Sequence, residues 1–256
     1  MKNFIYDGTF DGLLTCIFKI YEEKAVDVNI QKQSKNQSIL FNDNTIIITD
    51  ETQANRVWTG LKNKLSPRGR STIYYSFLSE QPQIENVILN YIKQVFSSSK
   101  NIESDFANPS VLKLSKTAKS VGREKHRMEA FVRFRLTKDE YYFASISPDF
   151  DVLPLISKHF KNRYADQKWI IYDIKRKYGL KYDLKTLDII SFEFCEDFDF
   201  TKTSTDFFTE GEKEFQKLWK DYFDSTNIKS RKNIQLHVKH VPKRYWKYLS
   251  EKNPLL

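Results

Sequence analysis

The amino-acid sequence predicts an α+β fold. An N-terminal helix-rich α/β part is packed on an antiparallel sheet with a crossing helix, and a helical, basic C-terminal tail follows. Three observations carry this. Apolar residues recur at helical spacing over most of the first hundred residues. Short β-branched and aromatic runs cluster between about residues 130 and 195. Gly and Pro number only 7 each in 256 residues, so regular elements dominate. The implied organisation is 1–100 as the helix-rich α/β part, 101–200 as the sheet with its helix, and 201–256 as a helix and basic aromatic tail. The three can also form one integrated domain.

Asn3 to Tyr6 reads as a short strand, and Asp7-Gly8-Thr9 as a turn and helix cap. Phe10, Leu13, Leu14, Ile17, Phe18 and Tyr21 then form one apolar stripe. Asp27 to Asn44 is polar and reads as a connection or frayed hairpin. Thr45 to Thr49 is a β-branched strand, and Asp50 and Thr52 offer caps for a helix through Ala54, Val57, Trp58, Leu61 and Leu65. That helix stops near Ser66-Pro67. Ser71 to Ser79 predicts a short helix. Pro82 suits the first turn of another, whose stripe is Ile84, Val87, Ile88, Tyr91, Ile92, Val95 and Phe96.

Ser97 to Pro109 is rich in Ser and Asn and marks an internal boundary. Val111 to Ser120 is basic and helical, with Gly122 as a breaker. Ala130, Val132, Phe134 and Leu136 alternate with Phe131, Arg133 and Arg135, which predicts a strand with two arginines on one face. Glu140 to Ser147 is its hairpin partner. A helix from Val152 to Tyr164 follows, with Asp149 or Asp151 as cap and Pro154 in its first turn. Trp169 to Lys175 and Leu180 to Leu184 form a hairpin turning through Lys177-Tyr178-Gly179. Ile189 to Cys195 is a further strand. A last helix has Phe215, Leu218, Trp219, Tyr222 and Phe223 as its stripe.

The net charge of +9 is segregated. Val111 to Arg135 carries eight Lys/Arg against Glu124 and Glu129, and Thr226 to Lys252 carries eight against Glu251 alone. Much of the negative charge falls between Glu193 and Glu214. Such segregation points to a polyanion partner, with solvated basic faces as the plainer explanation. Cys16 and Cys195 give no disulfide framework and no zinc pattern, and no run has the length of a membrane span. A cytoplasmic protein with no membrane partner is the expectation.

Arg123, Lys125, His126, Arg127, Arg133 and Arg135 are the candidate phosphate contacts, joined by Lys239, His240, Arg244, Tyr245 and Trp246 of the tail. Lys and Arg neutralise phosphates, while Tyr and Trp stack on bases. Docking of Tyr245, Trp246 and Tyr248 onto the core competes with that role. His126 and Glu129 lie three apart and share a helix face, a possible acid–base pair with Asp149 or Asp151. His237-x-x-His240 is half a metal pattern, but in a strand its two rings would face opposite ways. Asp149, Asp151 and Asp173 could hold magnesium, though capping accounts for the first two more cheaply. No metal site and no cofactor is expected. No phosphate-cradling, dinucleotide or nucleophile-elbow motif is present, which lowers the standing of nucleotide-driven motors, Rossmann dehydrogenases and common hydrolases.

Several stretches carry a family resemblance: Phe4-Ile-Tyr-Asp-Gly-Thr-Phe-Asp-Gly-Leu-Leu-Thr, Val121-Gly-Arg-Glu-Lys-His-Arg-Met with Ala130-Phe-Val-Arg-Phe, Pro148-Asp-Phe-Asp-Val-Leu-Pro-Leu, Arg163-Tyr-Ala-Asp-Gln-Lys-Trp-Ile-Ile-Tyr-Asp, and the tail Val241-Pro-Lys-Arg-Tyr-Trp-Lys-Tyr-Leu. Together they resemble a bacterial domain-of-unknown-function family labelled "probable DNA metabolism protein". The resemblance implies DNA repair or modification beside a radical S-adenosylmethionine protein, and an association with uracil-DNA glycosylase-like domains. It implies no catalytic residue. This chain lacks three clustered cysteines, so an iron–sulfur centre would belong to the partner. It also has no room after Leu256 for an added glycosylase domain, so it resembles the stand-alone form. The readings are therefore a DNA-binding accessory protein, a DNA-processing enzyme using His126, Glu129 and an aspartate, or a protein-interaction subunit that never meets DNA.

Overall fold

In the computed structural model the described residues are 2–33, 44–192, 194–195, 198–226 and 233–252. The fold is mixed α+β and divides into two compact units, Met1–Gly122 and Arg123–Leu256.

The first unit begins with β1 (Lys2–Tyr6) and α1 (Phe10–Glu22). The Thr9 hydroxyl accepts from the Gly12 amide at 2.9 Å, so the expected cap forms. β2 (Val28–Lys32) lies in the stretch expected to be a connection or frayed hairpin, and it pairs parallel with β1; residues 34–43 of that stretch are outside the described residues. β3 is Asn44–Ile46, and the three strands run parallel in the order β2-β1-β3. α2 (Glu51–Lys64) is capped by Asp50, which accepts from the amides of Thr52 and Gln53. α3 (Pro67–Phe77) starts one turn earlier than the apolar pattern implies, because Ser66 caps it and Pro67 fits its first turn. α4 is Ile84–Ser97, just after Pro82. Leu13, Ile17, Leu61, Ile88 and Ile92 are fully buried in one core.

α5 runs Pro109–Phe131 and corrects two expectations. Gly122 does not break it, and the strand expected from Ala130 shrinks to β4 (Arg135–Leu136). The reason is periodicity. Val111, Leu114, Thr117, Val121, Glu124 and Met128 are all buried and recur every three or four residues. Two polar members conceal that stripe from a reading by hydrophobicity. One glycine costs a helix only about 1 kcal/mol, which packing along the stripe offsets.

The second unit holds a five-stranded sheet in sequential order, β4, β5 (Tyr142–Ile146), β6 (Trp169–Asp173), β7 (Tyr178–Tyr182) and β8 (Leu187–Ile190). Three pairs are antiparallel. β5 and β6 are parallel instead, because α6 (Leu153–Arg163) returns the chain to the same end of the sheet. Tyr178 and Gly179 belong to β7, so the β6–β7 turn lies earlier, with Lys177 at φ 57°. Val152 occupies the cap of α6 and no side chain bonds it, so Asp149 and Asp151 are not the expected caps.

Trp169 packs among Phe134, Phe160 and Tyr182, while Phe143, Tyr172 and Phe208 form a second cluster. α7 (Glu212–Thr226) inverts its expected burial. Glu212 and Gln216 are buried, whereas Phe215, Leu218, Trp219 and Tyr222 are exposed. The buried pair is held by hydrogen bonds, Glu212 to the Leu136 amide and Gln216 to Thr203. α8 (Ile234–His240) and two 3-10 segments, Lys243–Tyr248 and Ser250–Lys252, complete the unit. His237 and His240 thus lie on a helix, not a strand.

Candidate functional site

Glu124 organises the second unit's polar interior. The buried stripe of α5 turns it inward, and it is 1% exposed. Its carboxylate accepts from Arg244 Nη2 at 2.9 and 3.2 Å, from the Asp149 amide at 2.9 Å, and from the Tyr245 hydroxyl. Arg127 Nη1 stands 3.7 Å away. Arg244 also reaches the Asp149 carboxylate at 2.5 Å through Nη1. Tyr245 is buried against Phe131, ring centroids 5.5 Å apart. Burial and the hydrogen bond to Glu124 hold its phenol well above the ordinary value, so it stays a neutral donor.

The β6–β7 turn adds two more cations, which meet the loop after β5. Arg176 and Lys175 both donate to the Asp149 carbonyl at 3.1 Å. Arg176 also pairs with the fully buried Asp173 at 2.8 Å. Burial pushes the Asp173 carboxyl up, against the opposing hydrogen bond and charge of Arg176. Asp151 accepts from the Tyr178 hydroxyl at 2.5 Å. Arg127, Arg244, Lys175 and Arg176 therefore meet Glu124, Asp149 and Asp173 around one loop.

Glu129 gathers a separate group on α5 and α6. Lys125 Nζ lies 2.5 Å from it, His126 Nδ1 3.9 Å and His159 Nδ1 3.8 Å. The His126 side chain is 87% exposed. Asp149 and Asp151 have their contacts with Arg244 and Tyr178.

Arg133 is fixed by Glu251, with Nη2 to Oε1 at 2.8 Å, and Trp219 donates to the same carboxylate. Arg135 lies half-buried over the Phe208 ring at 4.3 Å and donates to the carbonyls of Phe200 and Lys202. Lys239 and His240 are exposed at the end of α8. Trp246 is half-buried and donates to the Val241 carbonyl. Arg123 is exposed on α5. Among the described residues no cluster of three or more His, Cys, Asp or Glu could hold a metal ion.

The family described as a domain of unknown function, DUF4130, matches residues 82–251. The chain belongs to the DUF4130 family. No curated protein matches it. A solved structure described as a pGpG-specific phosphodiesterase, PggH from Vibrio cholrae, is similar over 70% of this chain and 80% of that chain. The identity is 9% and the TM-score 0.32, and neither fold nor activity is carried over at that level.

The DUF4130 match takes in every residue of the clusters described above. Among those the sequence reading missed as site members are Glu124, which counted only as a flanking acid, His159, Lys175, Arg176, Tyr178 and Glu251. Glu124 could have been found, because it falls on the helical repeat that runs from Val111 to Met128. Glu251 and Arg176 carry no local signal, since their partners lie in distant elements or a turn.

Proposed function

We propose that this DUF4130 protein is a DNA-binding accessory protein in DNA repair or modification. The Glu124–Arg244 pair carries the reading. It joins the basic end of α5 to the tail at Arg244 inside one unit, which supports a reading in which the two cationic stretches act together. A gathered basic surface is the electrostatic footprint of a nucleic-acid partner. Arg123, His126, Lys239 and His240, with the outer edges of Arg127 and Arg244, make the phosphate contacts. The family resemblance supports a radical S-adenosylmethionine protein and a uracil-DNA glycosylase-like protein as partners. The exposed apolar face of α7 supports a protein partner alongside DNA. Among the described residues no helix is long and apolar enough to cross a membrane.

Anisotropy titrations of labelled single- and double-stranded DNA at two salt concentrations test the reading. Affinity should fall steeply with salt. Absent affinity, or affinity indifferent to salt, refutes it.

A DNA-processing enzyme is the second reading, favoured by Glu129 standing between His126 and His159 with Lys125 beside it. Incubation with uracil-containing, abasic and ultraviolet-damaged duplexes tests it. Turnover abolished in both His126→Ala and His159→Ala supports it, and no product from any duplex excludes it for these lesions.

A further inference from the structure

A small cleft in the second unit opens between β5, α7 and the 3-10 tail, with a volume of about 30 Å³. Arg133, Arg135 and Lys247 line it together with the hydroxyls of Thr201, Thr203 and Ser250, and no carboxylate is among its lining residues. By the same measure one water needs roughly 10–15 Å³, so the space suits the oxygen tip of one phosphate and excludes a sugar or base.

Arg135 shows why an anion belongs there. Its guanidinium is half-buried, and among the described residues its hydrogen bonds go to the carbonyls of Phe200 and Lys202. Glu212 and Asp199 act on it only as neighbouring charges. Burial lowers its pKa to about 10, which leaves it a cation at neutral pH. A partly desolvated cation whose hydrogen bonds go to carbonyls, with carboxylates near but not bonded to it, gains from an anion bound directly to it. Arg133 is fixed beside it by Glu251 and by the Ala130 and Val132 carbonyls, so the second guanidinium is oriented in advance. Lys247 is exposed and supplies a movable third cation at the mouth.

We propose that this cleft is an oxyanion site for a single phosphate monoester group. The anion chemistry stands on the cleft alone. Its assignment to the terminal phosphate of a DNA strand, instead of free phosphate, rests on the DNA-binding reading above.

The test uses the full chain with inorganic phosphate in calorimetry, and one oligonucleotide carrying a 5′-phosphate, a 3′-phosphate or hydroxyl ends in anisotropy. A phosphorylated end should tighten binding on the order of tenfold, as one or two charge-assisted hydrogen bonds would. Lys247→Gln and Thr203→Val should each reduce that gain, and neither removes an arginine of the cleft. Phosphate binding with no gain from either end assigns the cleft to free phosphate. No phosphate binding and no end effect overturns the site, even if the hydroxyl-ended strand still binds. Phosphate binding with no affinity for any strand strikes the DNA reading and leaves the site standing.

Discussion

Glu124 of α5 and Tyr245 of the tail, 121 positions apart, share a buried hydrogen bond in which the phenol donates to the carboxylate. The same carboxylate receives Arg244, so one acidic residue fixes the path of the basic tail. The charges most visible in the sequence therefore split into two kinds. Arg133, Arg135 and Arg244 build the unit, while His126, Lys239 and His240 stand at its surface.

Removing Glu124 leaves Tyr245 and the Asp149 amide without their acceptor, and Arg244 with the Asp149 carboxylate as its one acidic partner among the described residues. Glu124→Ala should cost about 3 kcal/mol, the scale for breaking a buried pair. Arg244→Ala should cost less, about 1–2 kcal/mol, because its side chain is 43% exposed and Glu124 keeps its other donors. Urea unfolding of both single variants and the double variant checks this. The double variant should be more stable than the sum of the two losses implies.

Gly122→Ala should stabilise the protein by about 0.5–1 kcal/mol, since the residue lies inside α5 and a side chain there meets only ordinary contact with Tyr75 at 3.8 Å. A raised urea midpoint confirms it. A lowered midpoint would mean that the helix is interrupted at that position.

Glu251 makes stability pH-dependent. Burial alone would raise its pKa, but the hydrogen bond and charge of Arg133 outweigh that, with Trp219 adding a donor, and the net shift is downward. A carboxylate lowered in the folded state stabilises above its ordinary value of 4.5, and that contribution is lost as pH falls through the folded value. Glu251→Gln should therefore lower the unfolding midpoint at neutral pH. The gap from the unsubstituted protein should close in acid.

Arg123→Ala and Lys239→Ala should weaken DNA binding without unfolding the chain. Each should reduce the slope of log affinity against log salt by about 1, the value for one lost phosphate contact. Circular dichroism and anisotropy on the same samples check both halves. Unchanged slopes would place the DNA surface elsewhere.

The amino-acid sequence by itself determined α1, α2 and α4, their caps at Thr9 and Asp50, the β6–β7 hairpin and the segregation of charge. Each of these is encoded within a few neighbouring residues, as a repeat, a cap or a composition. Only the tertiary structure decided that α5 continues through Gly122, that β5 and β6 run parallel, and which cations are internal. Those outcomes depend on partners far along the chain. Glu124 meets Arg244 at a separation of 120 residues and Arg133 meets Glu251 at 118, distances over which no local pattern announces a pair. Burial then settles the matter physically, because a charge removed from water must find its counter-charge or hydrogen bonds wherever the fold brings them.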